Sequence, residues 1–426
     1  MNSDQNSGER IIAKDIRRSN NGRITGLNRN DLIIGGSGAG KTTGYVAPNL
    51  NNPSGSFVVS DTKGKLYGKY CDSLKEKGYD VLLIDLVDPV NSSHYNPFDY
   101  IRKYEDGTVY ESDIKKLATI LMPSLDSREP FWEKAATRYV CMLIGFVLEV
   151  VPEERRNMNA VIQIHQAVLA GKGDKYFNTL INNSPCSYTA NKYRAFESIR
   201  TSEKTYACIL EFASEALDPF DCLEFRRFFA SGNSIDVHQL GKKKTALFIN
   251  SSDHDKSYHV ISSIISFQII QTLLDDADKT EEGELDIPVN IYLDDFAAAA
   301  KIPDFDLLIS IIRSRNISVS ILLQSISQLT RMYGQEAAIT IINNCDTILY
   351  LGSGHDMETA KFIAYHANQS EHSILTLPRD KTIILTSGEK PQTAGKIKAT
   401  DEITGLVPKD GNSSRSANHP ADGSYA

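Results

Sequence analysis

Apolar residues along this chain come in two rhythms. Short apolar runs bounded by polar turns occur in "NDLIIGG", "GSFVVSDTKG", "GYDVLLIDLVD", "KKTALFINSS", "VNIYLDD", "SVSILLQ" and "CDTILYLGS". With helical pieces between them, such runs predict parallel strands buried on both faces. From about Asp106 to Gly232 the rhythm changes. "SDIKKLATILMPSL", "FWEKAATRYVCMLIGFVLEVV", "NAVIQIHQAVLAG" and "YRAFESIRTSEKTYACILEFASEAL" carry apolar positions at helical spacing and no convincing strand. The strand rhythm then resumes, and "YHVISSIISFQIIQTLLDDAD" reads as a long helix after the first resumed strand. The expected fold class is α/β, a mainly parallel sheet plus an inserted all-α domain. The expected division is a polar basic segment over 1–24, a discontinuous α/β unit over 25–105 and 233–395, and the all-α insertion over 106–232. The last stretch, 396–426, is polar and reads as a disordered tail.

Bulk properties narrow this only a little. A chain of 426 residues can bury the cores of two or three domains. The most apolar run, "YVCMLIGFVLEVV" from Tyr139, is too short to span a bilayer and carries Glu149, so it predicts a buried helix. The opening "MNSDQNSGER" lacks the apolar run of a secretory signal. Six cysteines (Cys71, Cys141, Cys186, Cys208, Cys222, Cys345) show no CxxC spacing, which speaks against a zinc site or disulfide framework and suits a reducing cytoplasm. The net charge of −8 gives no global pull toward nucleic acid, so any such binding would use local basic loops or a channel made by assembly.

The candidate chemistry starts at "GGSGAGKTT", which matches G-x-x-x-x-G-K-[ST] at Gly35, Gly40, Lys41 and Thr42, between "DLII" and a helix. Glycine freedom lets the backbone N–H groups of Gly35, Gly36, Ser37, Gly38, Ala39, Gly40, Lys41, Thr42 and Thr43 turn inward as an anion nest, and the helix adds its positive end. In this pattern the lysine reaches the β- and γ-phosphates of ATP and the first threonine hydroxyl ligates Mg²⁺. At ordinary residue usage the bare pattern arises by accident in roughly one or two chains per hundred of this size. The strand–loop–helix setting lowers that further and separates it from a flexible turn.

The run "VNIYLDD" ends in two acids, Asp294 and Asp295. Like charges side by side repel, and buried carboxylates are costly unless offset. A cation and Lys41 would supply the offset. Asp294 is expected to hold Mg²⁺ through its water shell, and Asp295 to orient or polarise the attacking water. Side chains alternate along an ideal strand, so the second acid must sit where the strand turns away.

Three further residues are candidates for an ATPase. Gln324 ends the "SVSILLQ" run and would sense a γ-phosphate or position water; the plain alternative is a polar strand end. Arg313 and Arg315 lie on or just after a helix and would serve as a finger to a neighbouring subunit, or as a solvated helix end. Lys242, Lys243 and Lys244 in a turn, and Arg102, Lys103 and Tyr104 at the start of the helical segment, offer basic and aromatic groups for single-stranded DNA, with a solvated charged turn as the commoner reading. His165, His238, His254 and His259 show no metal-ligand spacing and are read as structural or exposed.

These residues together resemble the coupling-protein ATPases of type IV secretion and bacterial conjugation, the TraG/TraD class. The resemblance is carried by the phosphate loop, "SFVVSDTKG", "YNPFDYI", "PFWEKA", "KKTALFINSSDHD" and "QIIQTLL". Most specific is the run from "YLDDFAAAAKIPDF" through "IIRSRNISVSILLQSISQL" to "NNCDTILYLG", and the whole covers about residues 25 to 365. It implies a RecA-like P-loop motor domain with an all-α domain inserted, in a hexameric ring at the inner face of a bacterial membrane. Its implied partners are a relaxase attached to single-stranded DNA and the components of a secretion channel. Three departures stand out. The family's second acid is usually Glu, where this chain has Asp295; Thr62 replaces a Pro; and the N-terminal transmembrane helices are missing, so membrane contact would pass through a trimmed or separate anchor. Two other readings compete: an FtsK/HerA-like DNA translocase, and a nucleotide-binding substrate receptor with little turnover.

Overall fold

The computed structural model describes residues 8–122, 130–230, 234–252, 255, 257–297, 301–352 and 354–398. His254, the part of the tail from 399 onward and the first seven residues lie outside this set.

The chain opens with an antiparallel hairpin, β1 (Glu9–Ala13) and β2 (Ile16–Ser19). Part of the polar basic segment is thus a paired hairpin. Arg10 is buried and its Nε donates to Asp31 Oδ2 at 2.8 Å, while Tyr45 Oη donates to the same oxygen at 2.5 Å. Tyr45 also meets Ser320 Oγ at 3.0 Å, so the network ties hairpin, first sheet strand and a distant strand together.

Among the described residues the main sheet has nine strands. They are β3 (Asp31–Ile34), β4 (Ser56–Asp61), β5 (Asp80–Asp85), β6 (Thr245–Asn250), β7 (Val289–Leu293), β8 (Ile317–Leu323), β9 (Thr347–Tyr350), β10 (Lys381–Thr386) and β11 (Gln392–Gly395). Their spatial order is β11-β10-β9-β3-β8-β7-β4-β6-β5. From β9 to β5 every pairing is parallel; β10 and β11 close one edge antiparallel. Every residue of β3, β4, β8 and β9 is buried, as apolar runs without alternation require. Alternate residues serve two cores. Leu32, Ile34, Val58 and Ile291 face one side, and Ile33, Phe57, Val59 and Tyr292 the other.

The helical segment lies between β5 and β6, which are sheet neighbours with Asp80 opposite Thr245. The chain therefore leaves and re-enters at adjacent strands. The helix Pro130–Val150 runs through its centre, with Tyr139, Val140, Met142, Leu143 and Ile144 at most 1% exposed. A Cβ on Gly145 would stand 2.7 Å from the Tyr188 ring, so glycine lets the helix Tyr188–Glu197 approach closely. His165 is a core group here: it meets Tyr139 Oη and Ser214 Oγ, both at 2.9 Å. Arg102 ties the segment to the helix His259–Ala277, reaching Asp113 at 2.6 Å and Asp275 on that helix at 3.2 Å. That helix is the one described helix long and apolar enough to cross a membrane, and it is packed into the core.

Candidate functional site

β3 stops at Ile34, and the Gly35–Gly40 loop follows at the C-terminal edge of the parallel strands, with Lys41, Thr42 and Thr43 opening the helical run Thr42–Val46 and Ala47–Asn51. Gly35 is wedged: a Cβ there would lie 2.9 Å from the Cβ atoms of Ala39 and Leu351. Gly38 and Gly40 take φ of +73° and +89°, a region open to glycine, and nothing lies within 4 Å of where a Gly38 Cβ would point. The loop is pinned from behind, because Gly35 N–H donates to Leu323 O at 3.0 Å and Gly36 N–H to Gly352 O at 3.2 Å. Ser37 and Thr43 are exposed.

The two acids of β7 come to this loop. The strand ends at Leu293, and Asp295 adopts a left-handed φ of +46°, so the backbone turns between the two carboxylates. Asp294 accepts the Thr42 hydroxyl and also the N–H of Asp295 at 3.0 Å. Asp295 Oδ1 stands 3.6 Å from Lys41 Nζ, which donates to Gly35 O at 2.9 Å. Lys41 and Asp294 are 7% and 6% exposed, so these charges interact in a partly dry setting. Burial raises the Asp294 carboxyl above the usual carboxylate range; the Thr42 hydroxyl opposes this and the Asp295 charge adds to it. A cation would reverse that. The oxygens of Thr42 and Asp294 are hard ligands of the kind Mg²⁺ takes, and the cation would find them already adjacent.

Gln324 is the first residue past β8, and Leu323 pairs with Ile34, so it sits beside Gly35 with its side chain exposed. Arg313 and Arg315 are elsewhere. They precede β8, at the opposite edge of the sheet from the loop. Arg313 Nη2 donates to Gly26 O at 3.0 Å, and Arg315 Nε to Asp278 Oδ1 at 2.7 Å. Neither reaches the loop of its own chain. The DNA candidates are also engaged internally. Lys243 pairs with Asp80 at 2.8 Å, Lys103 with Glu153 at 2.6 Å, and Tyr104 stacks on Tyr110. Sequence reasoning missed Lys396. It assigned this residue to the tail, yet residues 396–398 continue from β11 and Lys396 Nζ lies 3.4 Å from Ala39 O.

Residues 3–366 match the family described as "Type IV secretory system Conjugative DNA transfer". The chain is 22% identical over 342 residues to Protein VirD4 of Agrobacterium fabrum (strain C58 / ATCC 33970), across 78% of this chain and 48% of that protein. It is 30% identical over 116 residues to Conjugal transfer protein TraG of Escherichia coli, across 26% of this chain and 17% of that protein. The chain thus spans about half the length of the VirD4 proteins it matches. Among solved structures it resembles the bacterial conjugative coupling protein TrwBdeltaN70 in complex with sulphate, with TM-score 0.67 and 16% identity over 87% of this chain and 85% of that one. It also resembles TrwB in complex with ADP and Mg²⁺, with TM-score 0.64 and 14% identity over 87% and 85%. At such identities the likeness shows the fold, a RecA-like P-loop domain carrying helices. With the family match running through the phosphate loop, the paired acids and the helical segment alike, the chain belongs to the type IV secretory system conjugative DNA transfer family.

Proposed function

We propose that this chain is an ATP-driven coupling protein. It recruits a relaxase joined to single-stranded DNA and moves that substrate toward a type IV secretion channel at the inner face of a bacterial membrane. The observation that carries the reading is the joining of Thr42 to Asp294 and Lys41 to Asp295 at the mouth of one glycine-rich loop. Family membership and the likeness to TrwB, solved with ADP and Mg²⁺, support it.

In this reading ATP lies against residues 35–43. Lys41 leaves the Gly35 carbonyl for phosphate oxygens. Thr42 and Asp294 would hold Mg²⁺, which would supply charge neutralisation on the phosphates. Asp295 accepts a hydrogen bond from the attacking water, and Gln324 lies close enough to the loop to report on the γ-phosphate. Arg313, which lies at the far edge of the sheet, would act only across a subunit boundary; a homohexameric ring supplies one, and Arg315 is an equivalent candidate there. Membrane contact would come through an anchor other than the described residues.

The test is steady-state ATP hydrolysis at several protein concentrations, with and without single-stranded DNA, against Lys41→Ala. The reading requires turnover that rises with concentration and DNA and vanishes in Lys41→Ala. ATP binding with turnover at the control level throughout would favour the receptor reading.

A further inference from the structure

Two buried lysines occur among the described residues, Lys41 and Lys396. Both ammonium groups rest on carbonyls of the same loop, Lys41 on Gly35 O at 2.9 Å and Lys396 on Ala39 O at 3.4 Å. Lys41 has a carboxylate partner in Asp295. Lys396 has no ion pair within 4 Å among the described residues, and its backbone N–H is held by Asp380 O at 2.8 Å. An ammonium taken out of water without a carboxylate in contact is costly; burial lowers the Lys396 pKa and the more distant Asp380 charge only opposes this. The strand that carries it is firmly placed. β11 pairs with β10, and Gly395 O accepts the N–H of Lys14 at 3.1 Å. The next residue runs against the phosphate-loop helix: a Cβ on Gly44 would stand 3.3 Å from Ile397 O. The chain after β11 thus lies along the flank of the loop from Ala39 to Gly44.

We propose that Lys396 is a second cation of the nucleotide site, a positioning residue that contacts anionic oxygens of the phosphate chain of a bound nucleoside di- or triphosphate. This rests on the nucleotide-binding reading above. The ammonium rests on Ala39 O; a bound phosphate chain would offer it a charged oxygen in place of a neutral carbonyl, which is the stronger hydrogen bond. The same exchange would fasten the β11 end of the sheet to the loop, so occupancy would be felt by residues 394–398.

The experiment is a titration of the full chain with Mg²⁺–ADP, with thermal unfolding of each unliganded variant alongside. Wild type should bind and Lys41→Ala should not; if wild type fails to bind, the nucleotide-binding reading itself falls. Given binding by wild type, Lys396→Met should weaken ADP affinity by about tenfold or more, leave the unliganded unfolding temperature unchanged or higher, and be largely rescued by Lys396→Arg. Unchanged affinity in Lys396→Met overturns the proposal. So does a lowered unliganded unfolding temperature with unchanged affinity, which would make Lys396 a latch for the strand. If Lys396→Met does not fold, amide exchange at residues 394–398 of wild type decides. Slowing on ADP addition is the expected result, and exchange that ignores ADP overturns the proposal.

Discussion

Thr42 and Asp294 stand 252 positions apart in the chain and are joined by a hydrogen bond from hydroxyl to carboxylate. The pair sits where the phosphate loop and the end of β7 meet, and burial raises the pKa of the Asp294 carboxyl. Such a group is placed against stability, and its use lies in what it binds.

Replacing it should separate those two. Asp294→Asn removes a buried charge and keeps an oxygen for the Thr42 hydroxyl. The unliganded protein should unfold at the same temperature or slightly higher. Mg²⁺-dependent ADP affinity should fall by about 10–100-fold, the usual effect of removing a carboxylate that orients a metal's shell. ADP titrations with and without a chelator measure this. An unchanged Mg²⁺ dependence would remove Asp294 from the metal.

Asp295 is held by a left-handed turn and by Lys41 at 3.6 Å. Its short side chain leaves the carboxylate near the lysine. Asp295→Glu adds one methylene of reach and should raise DNA-stimulated ATP turnover by about tenfold, well within what a positioned base contributes. Asp295→Asn should abolish turnover while leaving ADP binding. If Asp295→Glu hydrolyses at the wild-type rate, the short acid is not what sets the rate.

The buried Arg10–Asp31 pair makes a stability prediction far from the chemistry. Arg10→Met leaves Asp31, wholly buried, with Tyr45 as its one remaining side-chain donor among the described residues and should destabilise the fold by about 3–5 kcal/mol. The double variant Arg10→Met, Asp31→Asn should recover much of that. Chemical denaturation midpoints of the three proteins test it, and equal losses in single and double variants would contradict the pairing.

His165 supplies a pH dependence. Ser214 Oγ donates to Leu210 O at 2.9 Å, so it accepts from His165 Nε2–H, and Nδ1 accepts from Tyr139 Oη. That arrangement needs a neutral ring, and burial lowers the pKa to about 4. The unfolded ring titrates near 6.5, so it takes up its proton first as pH falls. The contribution is complete above about pH 6.5 and is lost down to about pH 4, by about 3 kcal/mol at most. Urea unfolding between pH 4 and 7 should show this slope, and His165→Gln should flatten it.

Much of the sheet was legible because β3, β4, β6, β7, β8 and β9 are buried on both faces and so read as unbroken apolar runs. The two hairpins were not read. β1 and β2 interleave Arg10, Arg17 and Arg18 among their apolar residues, and a buried arginine looks solvated until its partner Asp31 is known. β11 is mostly exposed, so "QTAG" gives little signal, and Lys396 beyond it was lost with the strand. Within the site, Lys41, Thr42 and the acid pair were readable because their spacing to a loop and a strand end is local. Arg313 and Arg315 were not resolvable as fingers, since an arginine that acts on a neighbouring subunit has no local signature. Their contacts with Gly26 O and Asp278 are made by the chain's own fold.

β3 lies between β8 and β9, and both of its partners come from the last third of the chain. During synthesis at about 5–20 residues per second, Asp31 emerges roughly 15–60 s before its partner Ser320 exists. For that time "DLII" and the loop behind it are an unpaired strand on the ribosome, and the phosphate loop has no wall to lean on. Nascent chains arrested before Ile317 should therefore be protease-sensitive across residues 30–50 and blind to ADP, while chains released after β9 should be neither. The oldest part of the polypeptide is the last to become a site.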